Sequence, residues 1–192
     1  MSASDRARVT LKLATSLDGR IALASGASKW ITGAQSRAEV HRMRDRHAAI
    51  LTGIGTILAD DPQLTARPEG AASAHQPDIL IMDSQARTPL DAAVYENGSR
   101  QVRIFRDRDL GAAMAGYASV MIEAGSAIAA AALKAGLVDR IEWFRAPIML
   151  GADGLAVIAA LGLERLELAP TFERVALSER GRDLHESYER IL

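Results

Sequence analysis

Ala48-Ala49-Ile50-Leu51-Thr52-Gly53-Ile54-Gly55-Thr56-Ile57-Leu58-Ala59-Asp60-Asp61-Pro62 is the stretch on which the fold class turns. An apolar run of strand length, residues 48–52, passes through Gly53-x-Gly55 directly into a helix start, which reads as one strand-to-helix unit. The glycines let the backbone come close to a ligand, and the helix start offers unpaired N–H groups to an anion. The same residues also suit a plain tight turn. The third glycine of a Rossmann fingerprint is missing, and no acidic ribose reader stands about 20 residues downstream.

Working outward, similar apolar runs at residues 9–15, 78–83, 102–105, 119–123 and 141–146 read as further strands. Residues 35–47 read as a helix, with Thr32 or Ser36 as its cap and Val40 and Met43 toward the core. Residues 126–135 form an Ala-rich helix that Gly136 is placed to end. Residues 67–77 and 89–100 read as loops, the second with turn chemistry at Asn97-Gly98. Toward the C-terminus, strand-like pieces at 165–168, 172–177 and 184–192 suggest antiparallel edge strands. The expected class is α/β, with a central mostly parallel sheet, antiparallel C-terminal edge strands and helices on both faces. A length of 192 residues without internal repeats fits one domain, 1–192.

Composition narrows the function. Hydrophobic residues at 48% against 24% charged support a buried core. A formal net charge of −1 gives no global attraction for nucleic acid or an anionic membrane, so an anionic ligand must be held locally. No run approaches the roughly 20 apolar residues of a membrane helix, and the N-terminus lacks the apolar core of an export signal. With no cysteine, disulfides, thiolate catalysis and Cys-ligated zinc are excluded, and a cytoplasmic setting is expected. His41, His47, His75 and His185 do not pair at metal-binding spacing, so no metal is expected. Without a Cys-x-x-Cys and His-x-Glu, a zinc nucleobase-deaminase site has no usual form here.

Three junctions carry the candidate chemistry. The first strand runs through Lys12, Ala14, Ser16, Asp18, Gly19 and Arg20 toward Gly26, Ser28, Lys29, Trp30 and Thr32, a polar loop where α/β sheets bind ligands, although Trp30 and Ser28 would equally serve as core plug and helix cap. The Gly53-x-Gly55 unit is the second. In the third, Glu123-Ala124-Gly125-Ser126 ends a strand and opens a helix whose positive end suits a dinucleotide pyrophosphate. Glu123 reads equally as a solvated strand terminus. The run Arg37, Arg42, Arg44, Arg46, offset by Glu39 and Asp45, reads by itself as a solvated helix face.

Taken together and in order, Lys12-Leu-x-x-Ser16-Leu17-Asp18-Gly19-Arg20, Ser28-Lys29-Trp30-Ile31-Thr32, Gly55-Thr56-Ile57-Leu58-Ala59-Asp60-Asp61-Pro62-x-Leu64-Thr65-x-Arg67, Asp83-Ser84, Glu123-Ala124-Gly125 and Ala135-Gly136-Leu137-Val138-Asp139 followed by Ala146-Pro147-x-x-Leu150-Gly151 resemble one family. It is the reductase domain of the bacterial bifunctional riboflavin-biosynthesis deaminase/reductase, of dihydrofolate-reductase-like fold. The likeness covers nearly the whole chain. It implies NADPH-dependent reduction of 5-amino-6-(5-phosphoribosylamino)uracil to the ribitylamino product, usually by a homodimer. Carried over residue by residue, Ala14, Trp30, Thr56, Asp60, Ser84, Gly125, Ser126, Ala127 and Ile128 would face the cofactor. Lys12, Ser28, Arg44, Leu64, Arg67 and Glu123 would face the substrate, and Lys12, Asp60 and Glu123 are the chemically able candidates for catalysis. Arg87 lies close enough in sequence to Ser84 to add a cation for the cofactor's ribose phosphate.

Ser126 and Ala127 depart from the proline and threonine common in that family, while keeping a helix start. Only a few residues precede Val9, so deamination is expected of another protein or another stretch of chain. Two competing functions stay open at this point: a reductase of the same fold acting on a pterin or other heterocycle, and a non-catalytic nucleotide-binding partner of a separate deaminase. Arg44 with Arg67 speaks for a phosphorylated substrate. Lys12, Asp60 and Glu123 speak against a silent partner.

Overall fold

Apolar runs become strands, and glycine- or cap-bounded runs become helices, in the order β1 (Arg8–Thr15), β2 (Arg20–Ala22), α1 (Ala34–Arg46), β3 (Ala49–Gly53), α2 (Ile54–Asp60), β4 (Asp78–Met82), β5 (Val102–Phe105), α3 (Leu110–Met114), β6 (Ser119–Ile122), α4 (Ser126–Lys134), β7 (Arg140–Arg145), β8 (Leu155–Ala156), β9 (Phe172–Arg180) and β10 (Asp183–Arg190). This is a computed structural model, and it describes residues 6–29 and 31–191. Trp30, expected at the cofactor, lies outside the described residues. Two compact units emerge, one from the described residues of Met1–Val9 and Ala38–Ala124, the other from those of Thr10–Arg37 and Gly125–Leu192.

In the first unit β5, β4, β3 and β6 follow one another, all parallel. All five residues of β3 are buried. Continuous apolar character is what a parallel strand covered on both faces requires, since no side chain can point to water. Ile50, Leu51, Ile79, Leu80, Ile81, Met121 and Ile122 make the core. Fully burying each such side chain stabilises by about 1.5–3 kcal/mol. The Gly53-x-Gly55 turn is plain: Gly53 is the extended N-cap of α2, and Gly55 is helical with open space where a Cβ would project. Helix α3 was not expected. Its start carries a legible signal, because Asp109 caps it by accepting from the Ala112 N–H at 3.0 Å.

In the second unit β1 pairs parallel with β7, and β10 and β9 continue antiparallel. The C-terminal edge strands thus follow expectation, whereas residues 165–168 do not. Leu166–Leu168 closes into a single 3-10 turn whose side chains are exposed. Helix α4 buries Ala129, Ala130, Ala132 and Leu133, and it ends as expected. Gly136 adopts φ +65°, with Gly136 N–H bonded to Leu133 and Leu137 N–H to Ala132. That left-handed turn satisfies carbonyls the helix would otherwise orphan.

The start of α1 corrects the sequence reading. Ser36 sits inside the helix and does not cap it. Its hydroxyl donates at 2.5 Å to Asp183 at the head of β10, and the same carboxylate oxygen accepts the Gly33 N–H at 2.6 Å. A carboxylate 147 residues from Ser36 therefore does the capping, with the helix dipole in its favour. Val40 and Met43 are buried, as expected.

Candidate functional site

Residues 61–67, Asp-Pro-Gln-Leu-Thr-Ala-Arg, belong to no helix or strand, yet Leu64, Thr65 and Ala66 are buried. Buried backbone polar groups must find partners, and here side chains supply them. Gln76 grips the Ala66 peptide on both sides, accepting its N–H at 2.9 Å and donating to its carbonyl at 2.8 Å. Arg100 donates to the Leu64 carbonyl at 2.8 Å and to those of Gln63 and Val94. The Thr65 carbonyl accepts from both His41 Nδ1, at 2.9 Å, and Arg44 Nη1, at 3.1 Å.

Arg44 also grips Glu123. Its Nε donates to Glu123 Oε2 at 3.0 Å and its Nη2 to Oε1 at 2.7 Å, a two-pronged pair whose side chains are almost wholly buried. The last turn of α1 supplies the cation, and the residue following β6 supplies the anion. His41, one turn before Arg44, has its pKa lowered, first by burial and then by the positive charge of Arg44, with Arg67 adding to the effect. The imidazole is therefore neutral at pH 7. Because a carbonyl can only accept, the proton sits on Nδ1, and Nε2 carries the lone pair. Arg67 itself is exposed, touching Gln63 Oε1 at 3.4 Å.

Among the expected site residues, this unit brings Arg44, Leu64 and Glu123 into one bonded cluster and sets Thr56 and Asp60 on α2. Asp60 is exposed, and Asp61 after it ends the helix in the left-handed region at φ 40°. Ser84 and Arg87 are exposed in a turn folded around the buried Asp83, which accepts from Gln85 N–H, Thr88 N–H and the Thr88 hydroxyl. Burial pushes the Asp83 carboxyl up, and these bonds pull it further down, so its pKa is lowered.

In the second unit Lys12 and Ala14 alternate with the buried Leu11 and Leu13, and the register places them opposite Glu142 and Phe144 of β7. Glu142 accepts from His185 Nε2 at 2.7 Å, Ser187 Oγ at 2.6 Å and Arg140 Nε at 2.5 Å. Burial raises its carboxyl, but these donors outweigh burial and hold it at about 2. His185 stacks on Phe144 with ring centroids 4.1 Å apart. Ser28 is half-buried in the loop after β2. Gly125, extended at φ −72°, opens α4 with no side-chain cap, no acidic residue in the first turn and open space where a Cβ would stand. Ser126, Ala127 and Ile128 follow as the first turn. That start is chemically suited to an anion.

Two separate motifs turn out to be partners. Asp18 accepts from Ser16 Oγ at 2.6 Å and from the N–H groups of Leu150 and Gly151 at 3.1 and 2.7 Å, so Ser16-x-Asp18 clasps Leu150-Gly151. The Ser16 bond above all holds the Asp18 carboxyl down at about 2. Sequence reasoning missed His41, Gln76, Arg100 and the Glu142 cluster. For Gln76 and Arg100 a signal existed: a loop with buried apolar residues needs donors from somewhere. Among the described residues no group of His, Asp and Glu is arranged to hold a metal, and no helix is long and apolar enough to cross a membrane.

Comparison with known proteins gives these groups a context. Residues 7–185 match the family described as RibD C-terminal domain. The chain is 36% identical over 178 residues to riboflavin biosynthesis protein RibD of Mycobacterium tuberculosis H37Rv, covering 92% of this chain and 52% of that one. The structure of Acinetobacter baumannii RibD superposes with a TM-score of 0.87 at 30% identity, over 99% of this chain and 60% of that one. The diaminohydroxyphosphoribosylaminopyrimidine deaminase/5-amino-6-(5-phosphoribosylamino)uracil reductase of Thermotoga maritima does so at 0.80 and 27%, over 97% and 57%. The chain thus spans about half the length of the RibD relatives it matches. A TM-score of 0.60 at 14% identity to Enterococcus faecalis dihydrofolate reductase complexed with NADP(H), over 95% of this chain and 96% of that one, makes the fold dihydrofolate-reductase-like and says nothing more. With the matched residues running through both units, the chain belongs to the RibD C-terminal domain family.

Proposed function

We propose that this chain is a reductase of riboflavin biosynthesis, using NADPH to reduce 5-amino-6-(5-phosphoribosylamino)uracil to its ribitylamino product. The observation that carries the reading is the Arg44–Glu123 pair joined through the Thr65 carbonyl to residues 61–67, with the exposed Arg67 at their end. Of these, Arg44, Leu64, Arg67 and Glu123 are residues that the family resemblance assigns to the substrate. NADPH, when bound, supplies the hydride that goes to the anomeric carbon of the opened, imine-like ribose. The uncapped start of α4 at Gly125 to Ile128 fits its pyrophosphate, and Ser84 with Arg87 fits the phosphate on its adenosine ribose. Ala14, Trp30, Thr56 and Asp60 complete the proposed cofactor side, and Lys12, Ser28 and Leu64 the substrate side.

Within this reading the roles separate by bonding. Both oxygens of Glu123 accept from Arg44, so Glu123 orients the guanidinium, and proton delivery falls to Lys12 or Asp60. Because the charge of Arg44 is matched by Glu123, Arg67 is the better grip for the ribose phosphate. The protein works as a cytoplasmic homodimer without a metal. Large apolar residues exposed along β9 and the segment before it, Val175, Leu177, Leu166 and Leu168, support a partner copy.

The test mixes purified protein, NADPH and freshly deaminated pyrimidine and follows the loss of reduced-nicotinamide absorbance. Turnover of that substrate, with Arg67→Ala raising its KM about tenfold and leaving NADPH affinity unchanged, is the expected result. Reduction of dihydrofolate without reduction of the pyrimidine would replace this function with pterin reduction.

A further inference from the structure

Arg100 stands 36 residues along the chain from Leu64 and just before β5, and it is 8% exposed. Its guanidinium bonds go to three backbone carbonyls, Leu64 at 2.8 Å, Val94 at 3.0 Å and Gln63, and none goes to a carboxylate among the described residues. Burying a cation without an ion pair is unfavourable. Burial and the charge of Arg44 lower its pKa to about 10 against the opposing charge of Asp78, which still leaves it charged at pH 7. The planar guanidinium holds its donors in fixed, separated positions that match these three carbonyls, which a lysine ammonium at a single point does not reproduce.

Two features explain why a charge is kept there. First, Leu64 is held at φ 50°, a backbone region unfavourable for a branched side chain. The two consecutive carbonyls that Arg100 binds, Gln63 and Leu64, bracket that residue. Fixing Leu64 fixes the next carbonyl, Thr65, onto which both His41 and Arg44 fasten. Second, Arg44 is ion-paired with Glu123, whereas Arg100 and Arg67 add positive charge near this cluster without a bonded carboxylate among the described residues.

We propose that Arg100 is a positioning residue for the substrate: it holds Leu64 and Thr65 so that Arg44 is aimed, and its charge favours a phosphorylated ligand over its dephosphorylated counterpart. This rests on the reductase reading for its ligand, although not for its geometry. Asp61 and Gln63 reinforce the arrangement by bonding Ala93 N–H and Glu96 Oε2, which ties the same segment to the residues before Arg100.

The test uses R100K and R100Q in the full chain with three measurements: peptide-resolved hydrogen exchange, NADPH binding, and kinetics on the phosphorylated pyrimidine and its dephosphorylated form. In both variants amide exchange across residues 61–67 should rise while β3 stays protected. R100K, which keeps the charge and loses the fork, should raise the KM for the phosphorylated pyrimidine about tenfold with kcat and NADPH affinity within about twofold. R100Q should in addition narrow the preference for the phosphorylated form. The proposal is overturned if wild-type protein reduces the pyrimidine and R100K has the same KM, if exchange at 61–67 does not change, or if NADPH affinity falls in step with KM, as general destabilisation would make it. Wild-type protein that fails to reduce the pyrimidine defeats the functional reading instead, and the exchange measurement then decides the positioning role by itself. Should R100Q not fold, R100K decides the positioning role and R100M, which also removes the charge, takes the place of R100Q.

Discussion

Two segments outside the α-helices and strands, residues 61–67 in the first unit and residues 161–171 in the second, behave in opposite ways. In the first, buried side chains and four donors from elsewhere in the unit, His41, Arg44, Gln76 and Arg100, satisfy the backbone. The second bonds mostly to itself, through the turn at Leu166–Leu168 and the contact of Thr171 with Ala169. Leu166 is 90% exposed, and a shallow cavity of about 390 Å³ opens among Leu133, Leu161, Leu163, Leu168 and Ile191. Irregular backbone is therefore not the same as loose backbone. What separates the two is whether distant side chains reach in to bind the carbonyls.

The largest test of that difference is Arg44→Ala. Breaking a nearly buried pair by removing one partner typically costs about 3–5 kcal/mol, because the carboxylate left behind loses its compensation. Chemical denaturation should show a loss of that order in the unit holding residues 61–67, and a loss under about 1 kcal/mol would mean that the pair matters no more than an exposed one. Gln76→Ala comes next. It strands the N–H of Ala66, at about 1–3 kcal/mol for a buried group left unpaired, while the Ala66 carbonyl keeps the Ser73 N–H at 3.0 Å. A melting temperature equal to wild type would show that water takes over the lost bond.

Acid should sharpen the contrast from the other side. Segment 161–171 leads into β9, which is held by β10, and β10 is anchored by His185 and Ser187 on Glu142. Because the folded carboxyl of Glu142 is lowered from 4.5 to about 2, its contribution is fully present above about pH 4.5. It is lost as pH falls from there toward 2. Amide protection in β9 and β10, taken relative to the intrinsic exchange rate at each pH, should therefore fall over that window, and Glu142→Gln should flatten the dependence. Gln76 and Arg100 do not titrate there, so the bonds they make to residues 63, 64 and 66 should persist, and acid reaches the segment through the Glu123 carboxylate that holds Arg44. If residues 63–66 lose protection over that window in Glu123→Gln as well, the distinction between the two segments fails.

The smallest expected effect is that of Leu166→Ser, within about 0.5 kcal/mol for the isolated chain, as for most exposed substitutions. Sedimentation supplies the informative reading. An unchanged mass would mean that no second copy covers this face, whereas a shift from dimer to monomer would assign it to the dimer contact.

Much of the framework was legible because it is written in local periodicity. The five buried residues of β3, the alanine-rich α4 with Gly136 at its end, and Val40 with Met43 on the inner side of α1 all follow from nearest-neighbour chemistry. The 3-10 turn at Leu166–Leu168 was misread as a strand because alternating leucines look the same whether they face a core or water. Helix α3, only five residues long, is too short to leave a period.

The sequence by itself determined the order of the longer strands and of helices α1, α2 and α4, the absence of cysteine chemistry and, through ordered motifs, the family. Tertiary structure alone decided how those motifs are used. It set Asp183 as the cap of α1 in place of Ser36, made Ser16-x-Asp18 the clasp of Leu150-Gly151, and turned Arg44 from one member of a charged helix face into the partner of Glu123. The physical reason is common to all three. A hydrogen bond to a buried carbonyl or carboxylate depends on which donor the chain brings within about 3 Å, and that distance is set by packing across the unit rather than by spacing along the sequence.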